Sequence, residues 1–226
     1  MARVLCITLN PALDLAFNLD ALVLGSVNRP RSAQLEAAGK GVNVARVLAG
    51  LGHHVTVSGF LGSENDAPFA LAFKQLDLID AFVRVPGSTR INAKLAEQGG
   101  RVTDINGPGM PIDATHLHTL ITSLEAELNS ATPPQAVVVA GSLPPGLSLD
   151  DFGQLLAHLN TRGVPLWVDT SGAALKAAID AHPAGVKPNE SELAEWAGGA
   201  LDTIPARLAA ATRLHQNGIA HALVSA

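Results

Sequence analysis

Ala37-Ala38-Gly39-Lys40-Gly41-Val42-Asn43-Val44-Ala45-Arg46 sets a lysine between two glycines and runs straight into an apolar-periodic segment. Apolar residues at Val44, Val47, Leu48 and Leu51 predict a helix over Val42–Leu51, and Val55–Phe60 then reads as a buried strand. The same alternation extends in both directions. Upstream, Val4–Leu9 reads as a buried strand. Downstream come helical sequence from Asp66 to Leu76, helix Thr115–Leu128 opened by Asp113, and the all-apolar strand Ala136–Ala140. Ser148 with Asp151 three residues on resembles a capping pair and opens a helix to Thr161. Strand Pro165–Asp169, helix Ala173–Ala181, strand Gly185–Lys187 and a helix from about Glu190 to Ala197 follow. Helix Ala206–His215, with Pro205 in its first turn, leads to a last strand, Ala222–Ser225. Repeated βα units of this kind predict an α/β fold, a mainly parallel sheet with helices on both faces.

Two stretches break the rhythm. Asp14–Glu36 and Phe82–Ile105 read as extended segments with polar alternation bounded by Gly and Pro. Strands without intervening helices, inserted into an α/β chain, predict a small separate sheet that covers a ligand site. The expected organisation is one α/β domain over 1–226, with β-lid segments at about 14–36 and 82–106.

Composition bounds the function classes. Of 226 residues, 47% are hydrophobic and 15% charged, which disfavours disorder and coiled coil. A formal net charge of −5 without a basic cluster argues against nucleic acid as a partner. The apolar runs are strand-length and too short to cross a bilayer, and Met1–Leu9 makes a poor signal peptide, so no membrane is expected. The single cysteine, Cys6, reads as a buried small hydrophobe and fits a reducing cytoplasm. The histidine pairs His53-His54 and His116/His118 lack further ligands at metal spacing.

Four segments carry chemistry. Gly39-Lys40-Gly41 before a helix lets backbone N–H groups and an ammonium face an anion; it also reads as a plain glycine turn. It is not a Walker A loop, since Gly41 stands where Ser or Thr would follow the lysine. Asp14, shortly after the first strand, suits sugar hydroxyls, or is a solvated loop aspartate. Gly141-Ser142-Leu143-Pro144-Pro145-Gly146 is a tight turn that leaves Ser142 at a strand end. Lys187-Pro188-Asn189-Glu190-Ser191-Glu192 reads as a helix cap, Asn189 with Glu192, or as a phosphate and Mg²⁺ site.

Taken in order, Asn10–Asp14, Ala38–Ala45, Thr89–Lys94 with Thr103–Asn106, Gly141–Gly146, Asp169–Gly172 and Lys187–Glu192 resemble the PfkB (ribokinase-like) carbohydrate kinases over the whole chain. The forms A-G-K-G-x-N-V-A and T-R-I-N-x-K look most like the 1-phosphofructokinase branch, with tagatose-6-phosphate and minor 6-phosphofructokinases as near neighbours. The resemblance implies ATP-dependent phosphorylation of a ketohexose phosphate, with ATP and Mg²⁺ required. Asp14, Gly39 and Asn43 would bind sugar hydroxyls, and Ser142 would line the sugar site. Lys40 and Arg90, with Arg29 on the lid, would meet the phosphate already on the sugar. Lys187, Asn189 and Ser225 would face ATP, and Glu192 would organise Mg²⁺ through water. Pairing of two copies through the lid is a further expectation. The family's catalytic base lies in a Gly-Ala-Gly-Asp motif, and that string occurs nowhere in these residues. Ala222–Ala226 therefore reads as the strand before that motif. If the chain ends there, the alternative is a non-catalytic sugar-phosphate binder.

Overall fold

In the computed structural model, which describes residues 1–225, Arg3–Thr8 forms strand β1 inside a seven-stranded sheet. Leu5 and Ile7 of β1 enter one core and Val4 and Cys6 the other, so its middle, Val4–Ile7, is apolar throughout because both faces are covered. On one side of β1 lie β4 (His54–Gly62) and β5 (Ile79–Val85). On the other lie β8 (Ala136–Ala140), β9 (Leu166–Asp169), β10 (Gly185–Val186) and β11 (His221–Ala222). Every pairing in this sheet is parallel.

Helices α1 (Lys40–Gly50) and α2 (Ala67–Gln75) pack on the face of Val4 and Cys6. Helices α3 (Ala114–Leu128), α4 (Leu149–Asn160), α5 (Gly172–Asp180), α6 (Glu190–Ala197) and α7 (Ile204–Gln216) pack on the opposite face. Crossovers of one hand require this division. The chain leaves β1 toward β5 on one excursion and runs from β8 toward β11 on the other, and reversing direction reverses the face. Ser148 and Asn189 each close a capping box at their helix, as their spacing in the sequence predicts, and Asp113, expected to open α3, does so with His116. α1 and α2 cover only part of their face. Beyond them an open apolar groove runs between Val44, Val138, Trp167 and Leu223, and Val47 on α1 and Leu51 at its C-terminal cap are exposed. No helix among the described residues is long and apolar enough to cross a membrane.

A second, four-stranded sheet contains β3 (Ser32–Ala38), β2 (Ala12–Leu19), β6 (Ile91–Glu97) and β7 (Val102–Asn106), in that order. β2 and β6 run parallel and the outer pairs antiparallel. The expected separate sheet is present, with one correction: the second segment does not begin at Phe82. Residues 79–85 pair with β4 as the edge of the main sheet. An edge strand shows polar residues much as a lid strand does. Asp80 and Arg84 form an ion pair there while Phe82 and Val85 are buried. The last strand also stops at Ala222, and Ser225 returns only as an isolated parallel bridge to Asn189.

Candidate functional site

The strand order reverses at β1, whose neighbours β4 and β8 lead the chain in opposite directions. The carboxyl ends of β1 and β8 therefore open a crevice, where ligands of open α/β sheets bind. Asn10, just past β1 and 5% exposed, points its amide across that crevice. Its Nδ2 donates toward Ser142 Oγ at 3.2 Å, Leu143 O at 3.2 Å and Pro108 O at 3.4 Å. An amide nitrogen has fewer hydrogens than these acceptors, so the bonds are shared.

Arg90 precedes β6 and acts as a staple between segments. Nε donates to Pro11 O at 3.2 Å, Nη1 to Gly107 O at 3.0 Å and Nη2 to Asn10 O at 2.9 Å. These carbonyls lie where the chain enters and leaves the lid. Nη2 also lies 3.5 Å from Ser142 Oγ, so part of the guanidinium remains directed at the crevice. Burial pulls the Arg90 pKa below its usual value, and the nearby Asp14 charge opposes that. Asp14 itself sits within β2, not in a loop, and accepts from Asn92 Nδ2 at 3.2 Å.

The glycine loop meets β1 from above. Gly39 is the N-cap of α1 at φ 129°, a conformation open to glycine, and no side chain caps the helix. The first N–H groups of α1 are thus left to face an anion. At Gly41 a Cβ would stand 2.3 Å from Thr8 Oγ1 and 2.9 Å from Ile7 O, so the close approach of α1 to β1 requires glycine. Asn43, on the next turn, is exposed.

Lys40 extends from this loop to Asp169 at the end of β9, with Nζ 3.1 Å from Oδ1. Lys187, just after β10, approaches the other oxygen, with Nζ 3.3 Å from Oδ2. One carboxylate thus bridges the lysine expected at the sugar phosphate and the lysine expected at ATP. In the sequence Asp169 shows only as an aspartate at a strand's carboxyl end, within the motif Asp169–Gly172. Beside Lys187, Asn189 accepts from Glu192 N, while Glu192 Oε2 accepts from Asn189 N at 2.8 Å. Ser225 N donates to Pro188 O at 3.1 Å and Ser225 O accepts from Glu190 N at 3.0 Å, which brings the expected ATP-side residues together. Arg29 stands apart. It is exposed on the connection between β2 and β3, at the end of β2 away from Asp14, and that strand length alone is about 17 Å.

The crevice therefore joins an uncapped helix start, two lysines, a half-free guanidinium and neutral donors, a set matched to phosphate groups at both ends and hydroxyls between. The model of the pfkB family carbohydrate kinases matches residues 6–226. A 1-phosphofructokinase of Vibrio cholerae is 43% identical over 99% of this chain and 69% of its own length. A 1-phosphofructokinase of Escherichia coli K12 is 40% identical over 99% of this chain and 70% of its own. Among solved structures, Escherichia coli phosphofructokinase-2 in complex with fructose-6-phosphate superposes with a TM-score of 0.90 at 28% identity, over 100% of this chain and 74% of its own. Motif order, fold and relatives agree: the chain belongs to the pfkB family of carbohydrate kinases.

Proposed function

We propose that this protein transfers the γ-phosphoryl group of ATP to fructose 1-phosphate, giving fructose 1,6-bisphosphate. The observation that carries this reading is the pair Lys40 and Lys187 converging on Asp169, which sets two anion-binding lysines on either side of one point. The names of the relatives at 43% and 40% identity support the choice of sugar. Tagatose 6-phosphate and fructose 6-phosphate are the competing acceptors.

In this reading the uncapped start of α1 at Gly39 and the Lys40 ammonium receive the sugar's existing phosphate, together with the free part of Arg90. Asp14, Asn43 and Ser142 hold the hydroxyls. Lys187, Asn189 and Ser225 meet ATP. Phosphoryl transfer rests on positioning and charge neutralisation, which is what this set of groups supplies. For Mg²⁺ the donors suit a water-mediated role. Among the described residues no three His, Cys, Asp or Glu side chains form a cage, and Mg²⁺ usually keeps its waters and takes one or two carboxylates plus phosphates. Glu192 would act on it through water, since one of its oxygens is held by the Asn189 N–H. Arg29 at the lid tip is too far along the strand to serve the crevice of its own chain. The lid, with Val102 and Ile105 exposed, is proposed as the face through which two copies pair, and the cytoplasm as the compartment.

The test is ADP release with each of the three ketohexose phosphates, alongside calorimetric binding. Release with fructose 1-phosphate above the other two supports the proposal. Binding with release at background favours the non-catalytic binder. Neither binding nor release would overturn the assignment.

A further inference from the structure

A well-formed cleft lies at the opposite end of the sheet from the crevice. It has a volume of about 440 Å³ and lies between the starts of β1, β4 and β5 and the last turn of α3 with the loop to β8. That size falls in the ordinary range of small-molecule sites, about 300–1,000 Å³. One wall is a single patch of the sheet: Arg3 stands in register with His54, Leu5 with Thr56, and Thr56 with Ile79. The other wall carries Glu127, Ser130 and Thr132. The loop is fixed to the sheet by Gln135, whose Oε1 accepts from Arg3 N at 3.2 Å and whose N donates to Arg3 O at 2.8 Å.

None of the side chains of Arg3, His54, Thr56, Glu127, Ser130 and Thr132 takes part in a hydrogen bond or ion pair within the described residues. Several other arginines are paired: Arg84, Arg101, Arg162 and Arg207 all have carboxylate partners. A guanidinium and an imidazole side by side on one wall, with the Thr56 hydroxyl on the same wall, recognise an oxyanion. A carboxylate on the facing wall, at the negative end of the α3 dipole, recognises donors and repels a second anion. We propose that this cleft is a second ligand site, for a small metabolite with an oxyanion at one end and hydroxyl or ammonium donors at the other. It is separate from the sugar-phosphate crevice, at the other end of β1.

The experiment uses the full chain, labelled with ¹⁵N, and three probes: inorganic phosphate, glycerol 3-phosphate and phosphoethanolamine. Glycerol 3-phosphate or phosphoethanolamine is expected to shift the amides of Ser130, Thr132 and Gln135 and to bind about tenfold tighter than phosphate alone, the scale of one hydrogen bond to a charged group. Whichever binds tighter identifies the donor as hydroxyl or ammonium. Arg3→Ala should abolish these shifts, His54→Gln should weaken them, and Glu127→Gln should bring the three probes to similar affinity. The shifts should persist in Lys40→Ala/Lys187→Ala, which disables the other anion site. Shifts confined to Gly39–Asn43, affinity unchanged by Arg3→Ala, or no shift at millimolar probe would each overturn the proposal. Folding of every variant is read from the same spectra away from the cleft.

Discussion

Gly41→Ala tests the link between fold and site with a single methyl. The added Cβ would stand 2.3 Å from Thr8 Oγ1 and 2.9 Å from Ile7 O, where ordinary contact begins at 3.4 Å. Relief of both contacts moves the start of α1 outward by about 1 Å, because the β1 backbone is fixed on either side by sheet pairing. Overpacking of this kind costs about 1–3 kcal/mol. The better helix propensity of alanine offsets at most about 1 kcal/mol of it. A net loss of about 1–2 kcal/mol lowers Tm by roughly 2–8 °C for a chain of this size. The displaced N–H groups should also weaken sugar-phosphate binding, by about tenfold for each 1.4 kcal/mol lost from the contact. Urea denaturation and calorimetry with fructose 1-phosphate measure the two effects. Thr8→Ala removes the nearer clash together with a buried hydroxyl that has no hydrogen-bond partner. Thr8→Ala/Gly41→Ala should therefore be more stable than the sum of its single changes. Gly41→Ala at wild-type stability and affinity, or strictly additive changes, would refute the close-approach argument.

Arg90→Lys should cost about 2–3 kcal/mol in denaturation and weaken sugar-phosphate binding more than tenfold, since one ammonium cannot serve the three separate carbonyls that the fork reaches; equal stability would count against the staple. Asp169→Asn should tighten binding of each phosphate ligand alone by about fivefold in calorimetry, because the ligand no longer displaces Asp169 from two half-exposed lysines whose pairs are together worth about 1 kcal/mol. Weaker binding would mean instead that Asp169 positions the lysines. Cys6 is fully buried, and desolvation raises its pKa from 9.0 to about 12. Its thiol should resist a disulfide reagent until the protein unfolds. Above pH 9 the unfolded thiol ionises and the native one does not, so stability should fall by up to about 1.4 kcal/mol per pH unit until pH nears the native value of about 12. The chain has no tyrosine to confuse the titration, and Cys6→Ala should flatten that slope in alkaline denaturation curves.

Element type was legible wherever a local rule decides it. Apolar period and capping pairs marked α3, α4 and α6 to within a residue, and the all-apolar run Ala136–Ala140 marked β8 at its observed bounds. Phe82 failed because polar alternation reports one exposed face, and an edge strand of the main sheet has that as surely as a lid strand does. Within the site, glycines around Lys40 and the Asn189–Glu192 cap could be read from neighbours in the chain. Asp169 could not, because its meaning comes from Lys40 and Lys187, which are far away in sequence. Arg90 likewise reads as a cation until its carbonyl partners are seen.

The sequence by itself determined that this is an α/β chain with a β lid, because period, capping and glycine requirements act over a few residues, while its ordered motifs carried the resemblance to a kinase family. Only the tertiary structure decided that β1 is the switch point, that Arg90 staples the lid to it, and that one aspartate holds two lysines together. Those facts depend on strand order and on contacts between distant segments, and a carboxylate's partners are set by where the folded backbone brings them, not by where they stand in the chain.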